Sequence, residues 1–99
     1  MNVLLTQAER DAALPELLAA GWTLDETRDA LVKDFTFKGF VSAFGWMTQI
    51  AIFAEKWDHH PEWFNVYNRV TVTLTSHDVS GLSPGDIKMA RKMDALAAK

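Results

Sequence analysis

The sequence predicts an α+β fold of two layers, a four-stranded antiparallel sheet with three helices packed on one face, in the order α-β-β-α-β-β-α. Two stretches, Ala30 to Lys38 and Val70 to Thr75, alternate apolar and polar residues with the period of a half-buried strand. Between them Phe40 to Trp57 steps by three and four, as a helix does. Near the two ends, Thr6-Gln7-Ala8-Glu9 and Ser83-Pro84-Gly85-Asp86 have the form of helix starts.

In chain order, the Thr6 hydroxyl is placed to accept a backbone N–H of the first turn while Glu9 reaches back to the cap. Ala13, Leu14, Leu17 and Leu18 recur at helical spacing, and Gly21 supplies the left-handed stop, so the first helix should span about 7 to 19. Trp22-Thr23-Leu24 and Ala30 to Lys38 read as two paired strands. In the second, Leu31, Lys33, Phe35 and Phe37 share the core side, and Lys33 must lie at an edge or snorkel.

Phe40, Phe44, Met47, Ile50, Ala51 and Ala54 give the central helix one apolar face. Thr48 and Gln49 interrupt it, and the run falls short of the ~20 apolar residues a membrane span needs. Pro61 pushes the residue before it out of the helical region, so His59 and His60 should lie on a loop after this helix. Phe64 to Tyr67 reads as a short strand and Asn68-Arg69 as a tight connection. In the next strand Val70, Val72 and Leu74 oppose Thr71, Thr73 and Thr75. His77 shares the polar parity and, if the strand reaches it, points to the open face. Pro84 at the first helical position and Asp86 as return acceptor start a helix over about 84 to 97, with Ile87, Ala90, Met93, Leu96 and Ala97 as its core stripe.

Ninety-nine residues with 48% hydrophobic and 23% charged content fit one soluble domain over 1–99. Four Trp and six Phe exceed what so small a core comfortably hides, which points to burial between copies in a homo-oligomer. A net charge of −3 disfavours direct nucleic-acid binding. Zero cysteines exclude disulfides and thiolate zinc sites, and Met1 to Arg10 lacks a basic start with an apolar signal core, so a cytoplasmic protein is expected, also nuclear if eukaryotic.

All three histidines fall between Glu55 and His77. An unperturbed imidazole pKa of roughly 6.5 suits proton transfer near neutrality, and clustered histidines also suit a metal. A metal would need three or four converging ligands, which His59 or His60, His77 and Glu55 or Asp58 could supply. The helical HExxH spacing is absent, and so is a nucleophile elbow. Adjacent His59 and His60 on extended backbone should point in opposite directions. Plainer readings exist as well: solvated histidines, Asp86 as a helix cap only, Glu55 as the solvated end of a helix.

Glu55, three residues, His59-His60-Pro61, five residues, Tyr67, nine residues, His77, eight residues and Asp86 resembles the signature of the pterin-4a-carbinolamine dehydratases, known in animals also as the dimerisation cofactor of a homeodomain transcription factor. The surrounding Asp58-His59-His60-Pro61-Glu62-Trp63-Phe64-Asn65-Val66-Tyr67-Asn68 is similar to the family's usual text, and the likeness runs from about Thr6 to Met89. The resemblance implies a metal-free and cofactor-free lyase that removes water from 4a-hydroxytetrahydropterin to give quinonoid dihydropterin, in tetrahydrobiopterin recycling. It implies His59 and His77 as the acid/base pair, His60 as a catalytic-site residue for binding and positioning, and Glu55 and Asp86 as supports. Substrate contacts are implied at Asp58, His59, His60, Thr75, Ser76, His77 and Asp78. A dimer or a tetramer of two dimers is implied too, and the alternative role is that of a binding module for a transcriptional regulator.

Overall fold

The computed structural model describes residues 2–99. Its elements are α1 (Gln7–Ala19), β1 (Thr23–Asp25), β2 (Ala30–Thr36), α2 (Phe40–Lys56), β3 (Glu62–Val66), β4 (Arg69–Leu74), a single 3₁₀ turn (His77–Val79) and α3 (Pro84–Ala97). The four strands form one antiparallel sheet in the order β1-β2-β4-β3. This is the predicted α-β-β-α-β-β-α order.

Register explains the layers. Leu31, Lys33 and Phe35 of β2 stand opposite Leu74, Val72 and Val70 of β4, and Trp63 of β3 opposite Val72, so one face gathers the apolar residues. Val70, Val72 and Leu74 are almost wholly buried there, roughly 1.5–3 kcal/mol each for a full burial. The helices cover that face: Trp46 of α2 lies 4.6 Å from Phe35 and 6.2 Å from Trp63, and Ile87, Met89, Ala90 and Met93 of α3 join the same core. The other face presents Thr71, Thr73, Asp34, Phe64 and Glu62.

Both helix starts form as the sequence implies. Thr6 Oγ1 accepts from Glu9 N (3.1 Å) while Thr6 N donates to Glu9 Oε1 (2.9 Å). Ser83 N donates to the Asp86 carboxylate at 2.9 Å. Gly21, with φ 106°, turns the chain out of α1. Lys33 sits on a central strand and therefore snorkels: its Nζ donates to Ala20 O and to Asp94 Oδ1, both at 2.7 Å, and Asp94 also accepts Trp22 Nε1 (2.9 Å).

Four expectations need correction. The buried stripe of α2 is Ala43, Trp46, Ile50 and Ala54, whereas Phe40 and Phe44 are about half exposed, because small Ala43 and Ala54 let the helix approach the sheet. β1 begins at Thr23, since the Trp22 ring is already buried ahead of the strand. β3 runs Glu62–Val66, with the hairpin turn at Tyr67-Asn68 and Tyr67 at φ 50°. β4 ends at Leu74, so His77 lies on the 3₁₀ turn rather than on a strand. Among the described residues no helix is long and apolar enough to cross a membrane.

Candidate active site

The end of α2 separates the two adjacent histidines. Asp58, at φ 49°, bends the chain, and His59 N then bonds Ala54 O at 2.9 Å. His59 turns inward and is buried, while His60 stays exposed. The opposed directions expected of neighbouring residues are realised.

His59 Nε2 meets Asp86 Oδ1 at 2.7 Å. Asp86 is fully buried at the start of α3, and its other oxygen accepts from Ser76 Oγ (2.8 Å) and Ser83 N (2.9 Å). The hydrogen bond to Asp86 raises the His59 pKa above the ordinary imidazole value, against an opposing push from burial. Nδ1 lies close over Gly85, where an added Cβ would come within 2.7 Å of it. Among the described residues Nδ1 has no hydrogen-bond partner, and since no fully buried side-chain nitrogen or oxygen lacks one, Nδ1 reaches the surface.

His60 Nε2 meets Glu55 Oε1 at 2.8 Å on the last turn of α2, beside a cavity of about 390 Å³ lined also by Ala51, Ala54, Pro61 and Trp63. His77 Nε2 meets Glu62 Oε2 at 2.6 Å. Glu62 in turn takes both guanidinium nitrogens of Arg28, at 2.9 and 2.8 Å. These bonds, Arg28 first and His77 second, hold the Glu62 carboxyl at about 2. Arg28 and His77 share a polar cleft of about 300 Å³ with Thr27, Thr75, Ser76 and Ser80.

The structure pairs His59 with Asp86, and His60 with Glu55. The other candidates have mixed settings. Thr75 Oγ1 bonds Asp29 O at 3.1 Å, at the rim of the His77 cleft. The Ser76 hydroxyl points into the interior, to Asp86 and to Ser83 Oγ (2.6 Å). Asp78 accepts from the backbone and side chain of Asn2, which lowers its pKa. Asp58 is exposed at the bend. His60 and His77 line different cavities, and a larger groove of about 630 Å³ between α1 and α3 involves none of the histidines.

Sequence reasoning missed Arg28 and Glu62, which are 34 positions apart, and no local pattern marks their pairing. Among the described residues no group of three His, Asp or Glu side chains converges as ligands for a metal would. What the arrangement offers is three imidazoles, each bonded through Nε2 to its own carboxylate, a pairing that fixes ring orientation and leaves Nδ1 for proton exchange.

Comparison with known proteins gives the family. The pattern of the pterin 4 alpha carbinolamine dehydratase family matches residues 3–96. The chain belongs to that family. A Roseobacter denitrificans protein that carries the dehydratase name provisionally is 58% identical over 98% of this chain and 99% of its own length. The Drosophila melanogaster pterin-4-alpha-carbinolamine dehydratase is 55% identical over 98% of this chain and 50% of its own length. A Brucella melitensis crystal structure, described as a transcriptional coactivator/pterin dehydratase, superposes with a TM-score of 0.87 at 53% identity, covering 96% of this chain and 99% of that one. The family's fold extends further, to a pterin dehydratase-like RuBisCO assembly factor of the alpha-carboxysome at TM-score 0.66 and 22% identity (78% of this chain, 92% of that one), so fold alone does not fix activity.

Proposed function

We propose that this chain dehydrates a 4a-hydroxytetrahydropterin by histidine acid/base catalysis, without metal or cofactor. The step breaks the C4a–O bond as a proton reaches the hydroxyl oxygen. Water leaves, and loss of the N5 proton forms the C4a=N5 bond of the quinonoid dihydropterin. One acid and one base of near-neutral pKa are wanted. The observation that carries the reading is the His59–Asp86 pair: a buried imidazole with raised pKa, fixed through Nε2, with Nδ1 free of any hydrogen bond among the described residues.

In this reading His59 and His77 exchange protons with the substrate. His60, held only by a solvent-facing Glu55, binds and positions it. Asp58, Thr75, Ser76 and Asp78 lie in the segments that carry these histidines and complete the proposed substrate surface, Ser76 acting through its backbone or through Asp86. A stopped-flow assay with freshly made 4a-hydroxytetrahydropterin tests the proposal: dehydration above the spontaneous rate is expected, and no acceleration sinks it.

A second reading rests on a different observation. Phe40, Val41, Phe44 and Ile52 on α2, with Phe64, Val66 and Tyr67 at the β3 edge and turn, expose more apolar surface than scattered residues account for. It supports a homo-oligomer, dimer or tetramer. The description of the Brucella melitensis relative as a coactivator favours a further protein partner, a transcriptional regulator. A pull-down in which the regulator's binding survives Phe44→Glu would remove α2 from that reading.

A further inference from the structure

We propose that Arg28 and Glu62 are positioning residues for His77, fixing which of its nitrogens handles the proton and leaving it the base of the pair while His59 is the acid. The inference rests on the dehydratase reading above and adds to it the means by which His77 is held and the division of labour.

The geometry starts at the β1–β2 connection. Asp25 Oδ1 accepts from Thr27 N (3.0 Å) and Arg28 N (3.4 Å), ordering the loop that carries Arg28 over the open sheet face. There the guanidinium forks onto both oxygens of Glu62, the first residue of β3. A bidentate pair fixes the plane of the carboxylate as well as its place. Oε2 is left with one direction in which to accept, and His77 Nε2 occupies it at 2.6 Å. A carboxylate that stays ionised down to about pH 2 can only accept, so Nε2 must be the protonated nitrogen of His77. Nδ1 then carries the lone pair towards whatever occupies the cleft.

The charge balance separates the two histidines. Asp86 is surrounded by hydroxyls, an amide and His59, so imidazolium is its only cationic partner among the described residues. Glu62 already has Arg28, so His77 can be held there without being charged. Asp25, Glu26 and Asp29, beside Arg28 in the chain, and Asp78, on the 3₁₀ turn of His77 itself, are the other charged groups on these elements; Asp29 is engaged by Arg10 and Asp78 by Asn2. In this proposal one imidazole gives a proton and the other takes one, as the reaction requires.

Arg28, Glu62 and His77 side chains are 45%, 40% and 72% exposed, so replacing them should leave folding nearly untouched. Glu62→Gln is the decisive variant, because an amide can donate as well as accept and no longer imposes the tautomer. Arg28→Lys keeps the charge without the fork. Two readouts are needed: ¹⁵N NMR of the neutral His77 ring, and stopped-flow kcat and KM over pH. The expected result is Nε2–H in the parent protein and a tautomer mixture in Glu62→Gln. With it go a kcat about tenfold lower, a KM within about twofold and a displaced pH–kcat limb, Arg28→Lys lying between. An Nδ1–H tautomer in the parent protein, or full kcat in Glu62→Gln, overturns the proposal. Should the parent protein show no dehydration at all, the dehydratase reading falls, and the NMR result alone then decides whether Arg28 and Glu62 orient His77.

Discussion

Replacing Asp86 by Asn should cost more stability in acid than in base. Asp86 is fully buried, with one oxygen on His59 Nε2 at 2.7 Å and the other on Ser76 Oγ and Ser83 N. The amide fits the same space. Its oxygen is best spent on Ser76 and Ser83, which turns the NH₂ towards His59 and sets two donors face to face whenever the imidazole is protonated. Loss of that charge-assisted bond is worth about 1.5–3 kcal/mol. The folded-state pKa of His59 is raised, so the folded protein holds the proton to higher pH than the unfolded chain does. Below the unfolded value, roughly 6.5, both states are protonated and the pair's contribution is fully present. As pH rises through the folded value the contribution is lost, and a neutral His59 can instead accept from the Asn amide. The gap between parent and Asp86→Asn should therefore narrow towards the ~1 kcal/mol of a neutral hydrogen bond. Urea unfolding at about pH 5.5 and about pH 8.5, at one fixed protein concentration, measures it. A gap that is constant or widens with pH refutes the reasoning.

Gly85→Ala, in the first turn of α3, should set two effects against each other: Ala is the better helix former, by at most about 0.5–1 kcal/mol, but the new Cβ lies 2.7 Å from His59 Nδ1 and 2.8 Å from Cε1. Dehydration should fall without the rise in Tm that helix propensity alone gives, and a raised Tm with full activity would contradict the contact. Asp94→Ala leaves Trp22 Nε1 without an acceptor and Lys33 Nζ with Ala20 O alone, and should destabilise by about 2 kcal/mol in urea, where a loss below about 0.5 kcal/mol would show the pair to be idle. Light scattering at micromolar protein should give a dimer or tetramer mass, and a monomer would leave the apolar residues of α2 and β3 without a copy to cover them.

How much of this was legible in the sequence follows from the range of each interaction. Local signals served well: the Thr6–Glu9 and Ser83–Asp86 starts and the Val70, Val72, Leu74 alternation involve residues within a few positions of one another. Lys33 broke its strand pattern and was readable as a snorkel, although its acceptors, Ala20 O and Asp94, were not. The α2 stripe misled because that helix is apolar on more than one side, and periodicity cannot tell a core face from one left for a partner: Phe40 and Phe44 read as core and are exposed. His77 read as a strand residue because its parity continues that of Thr71, Thr73 and Thr75. The inward turn of Ser76 to Asp86, with its bridge to Gly81, ends the strand instead. At the site, the histidines stood out by falling in one segment, and Glu55 and Asp86 through the resemblance to the family's signature, while Arg28 and Glu62 meet only because antiparallel pairing sets the β1–β2 connection and β3 on one face.

The central claim is that two of the three histidines carry protons and the third positions the substrate, and stopped-flow dehydration by His59→Ala, His77→Ala and His60→Ala, each first shown to be folded, tests it most directly. The account predicts that kcat falls about 10²-fold in each of the first two, less where spontaneous dehydration masks the loss, that the double variant does not multiply the losses, and that His60→Ala chiefly raises KM. Folded His59→Ala and His77→Ala variants that both keep full kcat would contradict it.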